Sequence, residues 1–253
     1  GRSREVIEQF PDLRWHCFNA MLGEGWFEEA ERVFGNAPKY RKRSLYVQGE
    51  YDQIIKEFPD TDASRHAAWM RDLNAVAYIN DNPIEYLRSV QGYDARTMLL
   101  LEKYIAGDKA VIDEMHDNAA NMNFQQSINW EIIFQSQLLP DLLLYLDGDP
   151  EAIQRSLQKV WNEKKRIGAL RHWHCVGLML GKLSRAEFFA QALQSGLESD
   201  YNFYSAIREE LLGNKAAALG FYQSYLSIPS HKRRNSDSFT IRRWVAYRLQ
   251  SLR

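Results

Sequence analysis

Residues 212–222, Leu212-Gly-Asn-Lys-Ala-Ala-Ala-Leu-Gly-Phe-Tyr222, decide the fold that we predict for this chain of 253 residues. Gly213-Asn214 separates two helix-like segments, because glycine readily ends a helix and the Ala-rich run after it forms one. Similar breaks of Gly, Asn and Asp recur about every 31 residues, a spacing typical of stacked helical hairpins. The breaks are Gly23–Gly25, Gly49-Glu50, Asn80–Pro83, Gly107-Asp108, Asp147–Pro150, Gly181-Lys182 and Gly213-Asn214.

The composition favours an all-α fold. The chain has 27 Leu and 23 Ala but 9 Val and 3 Thr, so the β-branched residues that strands prefer are scarce. Hydrophobic residues make up 45% and charged residues 26%, which excludes collagen-like and disordered classes. No apolar run reaches the roughly 20 residues that cross a bilayer, so we expect no membrane span. A net charge of −1 excludes a uniformly basic protein.

The C-terminal segment has the pattern of an amphipathic closing helix. Its apolar residues recur at spacings of three and four and are Ile241, Trp244, Val245, Leu249 and Leu252. Arg242, Arg243 and Arg253 lie largely off this stripe. We therefore expect residues 1–228 to form a helical repeat array, and residues 229–253 to form a basic linker with a C-terminal capping helix.

Several units resemble the tetratricopeptide repeat family. Residues 212–222, followed by Pro229, contain an inter-helix glycine, a small residue in the second helix, an aromatic residue four positions later and a terminating proline. Residues 25–38 and 49–59 are similar, and Trp173, Val176, Gly177 and Leu180 resemble the spacing of the family's first helix. The resemblance implies a right-handed superhelix, an α-α solenoid of about seven hairpins.

The same resemblance implies a protein or peptide partner bound in a concave groove that is lined by the first helix of each hairpin. The residues expected near that groove are Arg71, Arg171, His172, Phe203, Tyr204 and Glu210. Replacing Arg171 and Tyr204 together should then abolish partner binding with little loss of stability.

A Trp-His-Cys motif occurs twice, at Trp15-His16-Cys17 and Trp173-His174-Cys175, and after three further residues each copy is followed by Met-Leu-Gly. Histidine and cysteine are zinc ligands, but neighbouring residues of a helix diverge by roughly 100°, so the dipeptide chelates poorly. We therefore predict no metal site, and a role for the motif in core packing. Cys17 and Cys175 are expected to be unpaired thiols.

Three basic clusters raise the possibility of an anionic ligand: residues 39–43, 164–166 and 231–234. They could contact the phosphates of a nucleic acid. Alternatively, they complement the carbonyl ends of helices and keep loops solvated. Because the clusters are far apart in sequence, we favour the second interpretation, while the basic C-terminal end leaves nucleic acid open.

Sequence templates for catalysis are not satisfied. The stretch from Gly177 to Leu183 is one residue shorter than a phosphate-binding loop and has Leu183 where a hydroxyl is needed. We therefore predict a non-catalytic interaction scaffold with no catalytic residues and no cofactor. Two alternatives stay open: a ligand-sensing or regulatory domain of a larger signalling or transcriptional protein, and an all-α enzyme or accessory domain.

Two cysteines and the absence of an Asn-x-Ser/Thr acceptor favour a cytoplasmic location. A periplasmic or secreted location stays open, because the sequence begins at Gly1 rather than Met.

Overall fold

The computed structural model describes residues 9, 13–35, 37–74, 93–120, 134–162, 170–190, 197–233 and 238–253. These residues form fourteen α-helices, a π-helical turn at Phe134–Leu138 and a 3₁₀ turn at Ser230–Lys232, with no strand among them. The prediction of an all-α fold is confirmed for this part of the chain. The α-helices are α1 (Arg14–Glu24), α2 (Phe27–Phe34), α3 (Pro38–Gln48), α4 (Tyr51–Glu57), α5 (Asp62–Asn74), α6 (Tyr93–Ile105), α7 (Val111–Ala120), α8 (Leu139–Leu146), α9 (Pro150–Asn162), α10 (Leu170–Met179), α11 (Arg185–Ala190), α12 (Leu197–Leu211), α13 (Lys215–Ser227) and α14 (Phe239–Ser251).

The chain divides into two compact units. Unit 1 comprises Gly1–Tyr78 and Leu226–Arg234, and unit 2 comprises Ile79–Tyr225 and Asn235–Arg253. This division differs from the predicted one at 228/229, because residues 229–233 pack with unit 1 and α14 packs with unit 2. Long-range packing rather than local composition sets the boundary.

Six predicted breaks contain a glycine that ends a helix with positive φ. At Gly25 (φ 83°), the N–H donates to Leu22 O at 3.1 Å and the next N–H, of Trp26, donates to Met21 O at 3.0 Å. Both bonds satisfy carbonyls at the end of α1, and glycine adopts this left-handed conformation without a Cβ clash. The other five are Gly49, Gly107, Gly148, Gly181 and Gly213. The break at Asn80–Pro83 lies outside the described residues.

The helices that flank these glycines pack in pairs. The pairs are α1–α2, α3–α4, α6–α7, α8–α9, α10–α11 and α12–α13. In unit 1, α2 also contacts α3 and α4 contacts α5; in unit 2, α9 contacts α10 and α10 contacts α12. Most of these helices thus pack against neighbours that come soon before or after them in the chain, whereas α14 packs on the distant α6.

Aromatic rings form the core of α1, α2 and α3 in unit 1. The ring of Phe18 is fully buried, with centroids 4.8 Å from Tyr40 and 5.6 Å from Phe34. These two edge-to-face contacts join one side chain from each helix. Cys17 and Leu22 complete the same cluster.

Helix α14 is buried on more sides than its sequence pattern indicates. Ile241, Trp244, Val245 and Leu249 are buried, as the stripe predicts. Arg242 and Arg243, which lie off that stripe, are only 1% and 5% exposed. Arg242 and Arg243 are therefore internal although they lie off the apolar stripe, because α14 packs on α6 and also contacts α12 and α13 through the side chains of Arg248 and Trp244.

Gly177 on α10 leaves room for a stacked pair of indoles. A Cβ at this position would lie 2.6 Å from Trp161 and 2.9 Å from Leu183. Trp161 cannot easily move, because its ring stacks on Trp173 with centroids 3.8 Å apart and Lys182 Nζ lies 4.9 Å from its centroid. We expect Gly177→Ala to lower the free energy of unfolding by about 1–3 kcal/mol, measured by urea denaturation.

Gly220→Ala is the matched control for that substitution. Gly220 lies inside α13 and is exposed, and a Cβ added there would meet no packed neighbour within 4 Å. The same change there should stabilise the protein by roughly 0.5–1 kcal/mol, because alanine is the better helix former. Equal effects at the two glycines would contradict the steric account of Gly177.

Candidate functional site

The predicted partner-binding residues lie in different surroundings. Arg71, on α5, is exposed, and its Nη1 donates to Asp52 Oδ1 at 3.0 Å. Arg171 and His172 lie in the first turn of α10, and their side chains are outside the described part of the structure. Among the described side chains of the predicted set, Arg71 is therefore the exposed one.

Phe203 and Tyr204 have no exposed surface, in contrast to the expectation of a groove position. The Phe203 centroid lies 5.1 Å from that of Phe134 and 5.8 Å from that of Tyr225. Helix α12 packs against α10 and α13, and all residues from Ser199 to Ile207 except Tyr201 are buried. Tyr204 is a core residue in this arrangement, so its replacement is expected to lower stability.

Glu210, the third predicted residue on α12, is also buried and is the centre of a polar cluster. Its Oε2 accepts hydrogen bonds from Arg248 Nε at 2.8 Å and from Arg248 Nη2 at 2.6 Å. Its Oε1 accepts from the Tyr222 hydroxyl at 2.6 Å, and Trp244 Nε1 donates to that hydroxyl oxygen at 3.0 Å. We call these four residues the Glu210 cluster.

Burial and the Glu210 carboxylate shift the pKa values of Tyr222 and Arg248 in the Glu210 cluster. Burial raises the pKa of the Tyr222 hydroxyl well above its usual value, and the nearby carboxylate raises it further, so this side chain remains a hydrogen-bond donor. Burial opposes the charge on Arg248, but its bonds to Glu210 and the carboxylate charge raise the pKa of the guanidinium. Both carboxylate oxygens of Glu210 are already bonded within the core, so the cluster stabilises unit 2 rather than presenting a ligand site.

A second buried ion pair joins α6 to α14. The guanidinium of Arg243 donates to both carboxylate oxygens of Glu102, with Nη2 3.0 Å from Oε2 and Nε bonded to Oε1. The side chains are only 6% and 7% exposed. Sequence reasoning missed this pair because its members are 141 residues apart.

A Ser-Asp-His cluster lies at the contact of α7, α8 and α9. His116 Nε2 is 3.4 Å from Asp141 Oδ1, and the Ser156 hydroxyl donates to Asp141 Oδ2. In a Ser-His-Asp triad the serine hydroxyl donates its hydrogen bond to the imidazole, whereas here it donates to the Asp141 carboxylate. This arrangement does not activate Ser156 as a nucleophile, although these three residues converge from distant positions.

The two Trp-His-Cys motifs lie in different units and different surroundings. Trp15 and His16 are exposed, whereas Trp173 is stacked on Trp161 and His174 is 7% exposed. Both motifs place their cysteine thiol in a core, with Cys17 2% and Cys175 0% exposed. Among the described residues, no three His, Cys, Asp or Glu side chains are grouped so that they could hold a metal ion.

Most of the described basic residues near the C-terminal end are internal. Arg233, Arg242, Arg243 and Arg248 are between 1% and 7% exposed. Lys232 is exposed and its Nζ lies 3.3 Å from the carbonyl oxygen of Gly23, near the C-terminal end of α1. This contact is the one expected of a cation at the negative end of a helix. The cluster at 164–166 lies outside the described residues.

An exposed surface of unit 1 combines cations with an aromatic side chain. We define this α1–α3 surface by Arg14, Trp15, Lys39 and Arg43. Trp15 is 45% exposed, and its ring centroid is 5.9 Å from that of Tyr40. Lys39 Nζ lies 4.9 Å from the centroid of the same Tyr40 ring. Arg43 is exposed one turn further along α3, on the same face as Lys39.

Arg14 joins the surface through Phe34. Its Cζ is 5.6 Å from the Phe34 centroid, and that ring is 5.4 Å from Tyr40. The sequence indicates the basic run that contains Lys39 and Arg43, but it does not indicate Arg14 or Trp15. Their contribution depends on packing between α1, α2 and α3, which no local pattern reveals.

In the described ranges, no helix is both long enough and apolar enough to span a membrane. Comparisons with protein-family models, with curated proteins and with solved structures find no match to the chain.

Proposed function

We propose that this protein is a non-catalytic helical-repeat scaffold that binds a peptide or protein partner. The proposal includes the tetratricopeptide-like solenoid of about seven hairpins that the sequence resemblance implies. Support comes from helices that pack in consecutive pairs, joined in the described residues at left-handed glycines. Repeat arrays of paired helices commonly present extended surfaces to their partners.

One observation carries the binding role: the distribution of exposed apolar side chains. Among the described residues, the large hydrophobic side chains that are exposed are Leu13, Trp15, Trp26, Val33 and Leu212. Four of these five lie in residues 13–33 of unit 1. These four side chains lie on or beside α1 and α2, which supports a partner interface there, and tryptophan is enriched at binding hot spots.

A random peptide library displayed on phage tests the proposal. We expect selection on the immobilised chain to enrich peptides that bind one to one with a Kd of about micromolar or tighter, measured by calorimetry with synthetic peptides. Trp15→Ala should weaken this binding. Leu212→Ala, which truncates an exposed apolar side chain of unit 2, is the matched control and should leave the Kd unchanged.

The alternative of a ligand-sensing domain predicts a different outcome. In that case no library peptide binds saturably, while a small molecule raises the melting temperature in a thermal-shift screen. This combination would overturn the scaffold proposal.

A further inference from the structure

The three cations of the α1–α3 surface are exposed. Within the described part of the chain, no carboxylate oxygen lies within the 4.0 Å ion-pair distance of Arg14, Lys39 or Arg43. Arg41, in the same basic run, is different: its nitrogens lie 2.5 Å from Glu31 Oε1 and 2.9 Å from Glu57 Oε1. Within the basic run, Arg41 is therefore paired and Lys42 is half-buried, whereas Lys39 and Arg43 are exposed without a carboxylate partner among the described residues.

Two of these cations, Arg14 and Lys39, lie against aromatic rings. Lys39 lies over Tyr40, and Arg14 lies over Phe34, both rings being part of the unit 1 core. A cation held against a ring face keeps its charge at a defined place on the surface. Trp15 packs beside Tyr40 and exposes part of its indole, so the surface offers fixed positive charge together with an apolar contact.

We propose that the α1–α3 surface binds a short acidic peptide segment, rich in Asp and Glu, that also carries one large apolar side chain. This inference rests on the proposed function and specifies its ligand. The carboxylates of the segment would pair with Arg14, Lys39 and Arg43, and its apolar side chain would pack on Trp15. Charge complementarity of this kind gives specificity and increases the association rate.

Two observations favour a short acidic peptide over a single-stranded nucleic acid. Residues 13–74 hold nine Lys or Arg and ten Asp or Glu, so the positive charge is local, and Glu28 and Glu29 are exposed on the neighbouring α2. Nucleic-acid grooves combine a continuous basic track with successive aromatic platforms. Trp15 and Trp26 instead flank the two ends of α1, which is roughly 16 Å long.

Fluorescence anisotropy with a labelled dodecapeptide of alternating Glu and Gly, with one central Leu, tests this proposal. We expect saturable binding that weakens with added salt, and a loss of about tenfold or more in affinity for the double variant Lys39→Glu/Arg43→Glu. Lys56→Glu/Lys215→Glu is the matched control, since both lysines are exposed and lie on other helices. Its affinity should stay within about twofold of the unmodified protein. Circular dichroism and thermal melting establish that both variants are folded.

Three results would each overturn the proposal: equal affinity of the Lys39→Glu/Arg43→Glu variant and the unmodified protein, equal binding of a peptide with Gln in place of Glu, or tighter binding of an oligothymidylate of the same length. Peptides selected from the phage library separate this failure from failure of the proposed function. If they bind the Lys39→Glu/Arg43→Glu variant undiminished, the scaffold proposal stands and the acidic-peptide surface does not.

Discussion

Arg248→Met is expected to lower the free energy of unfolding by about 3–5 kcal/mol, because it leaves the Glu210 carboxylate buried without its cation. Glu210 would keep only the Tyr222 hydroxyl as a side-chain donor within the Glu210 cluster. A buried charge that loses its partner bears most of its desolvation cost uncompensated. Urea denaturation followed by circular dichroism measures the loss.

The double variant Glu210→Met/Arg248→Met separates the cost of an orphaned charge from the value of the ion pair. Removing both charges should cost clearly less than the sum of the two single substitutions, since well-packed apolar groups often replace a buried pair with little loss. Glu210→Gln is a milder single substitution if Arg248→Met does not fold.

Arg32→Met provides the matched surface control. Arg32 pairs with Glu29 on α2, but both side chains are largely exposed. Its replacement should change stability by no more than about 1 kcal/mol. If Arg248→Met changed stability by a similarly small amount, the Glu210 cluster would not be buried in the way that the structure shows.

Arg243→Met should cost about 3 kcal/mol or more and should loosen α14 in particular. Arg243 binds both oxygens of Glu102 and thereby ties α14 to α6. Arg243→Lys keeps the charge but loses the bidentate geometry, so its cost should be intermediate. Hydrogen exchange measured by mass spectrometry should show faster exchange of α14 amides, with little change in α1 of unit 1.

Arg96→Met controls for the loss of an arginine in the same region. Arg96 lies on α6 and pairs with Glu114 at 3.3 Å, with both side chains exposed. We expect no change in the exchange of α14 for this variant. If Arg243→Met instead increased the amide exchange rate equally over the whole of unit 2, this ion pair would not stabilise the contact between α14 and α6 locally.

Six helix ends were predictable because they depend on local chemistry. A glycine such as Gly25 or Gly213 adopts positive φ at low cost, and this conformation ends the helix. Gly177 is one of the residues that resemble the first helix of the repeat family, and the structure gives a steric reason for a small residue there. The sequence does not show that Trp161 is the neighbour that needs the space.

The candidate site is less predictable. Counting back from a break places Phe203, Tyr204 and Glu210 at a groove, but α12 has neighbours on several sides and buries all three side chains. Conversely, the exposed Trp15 of the α1–α3 surface belongs to a motif for which the sequence predicts core packing. Sequence spacing predicts which residues share one face of a helix. It does not predict how many faces of that helix are buried by neighbouring helices.

The amino-acid sequence by itself determined that the described chain is helical and where six of its fourteen α-helices end, because helix propensity and glycine conformation act over a few residues. Only the tertiary structure decided which charges are internal. From its local sequence, Arg243 is expected to be a surface cation. In the structure it is buried, because Glu102, 141 residues earlier, supplies its counter-charge. Burial of a charge depends on its partner and its solvent exclusion, and both are properties of the folded chain.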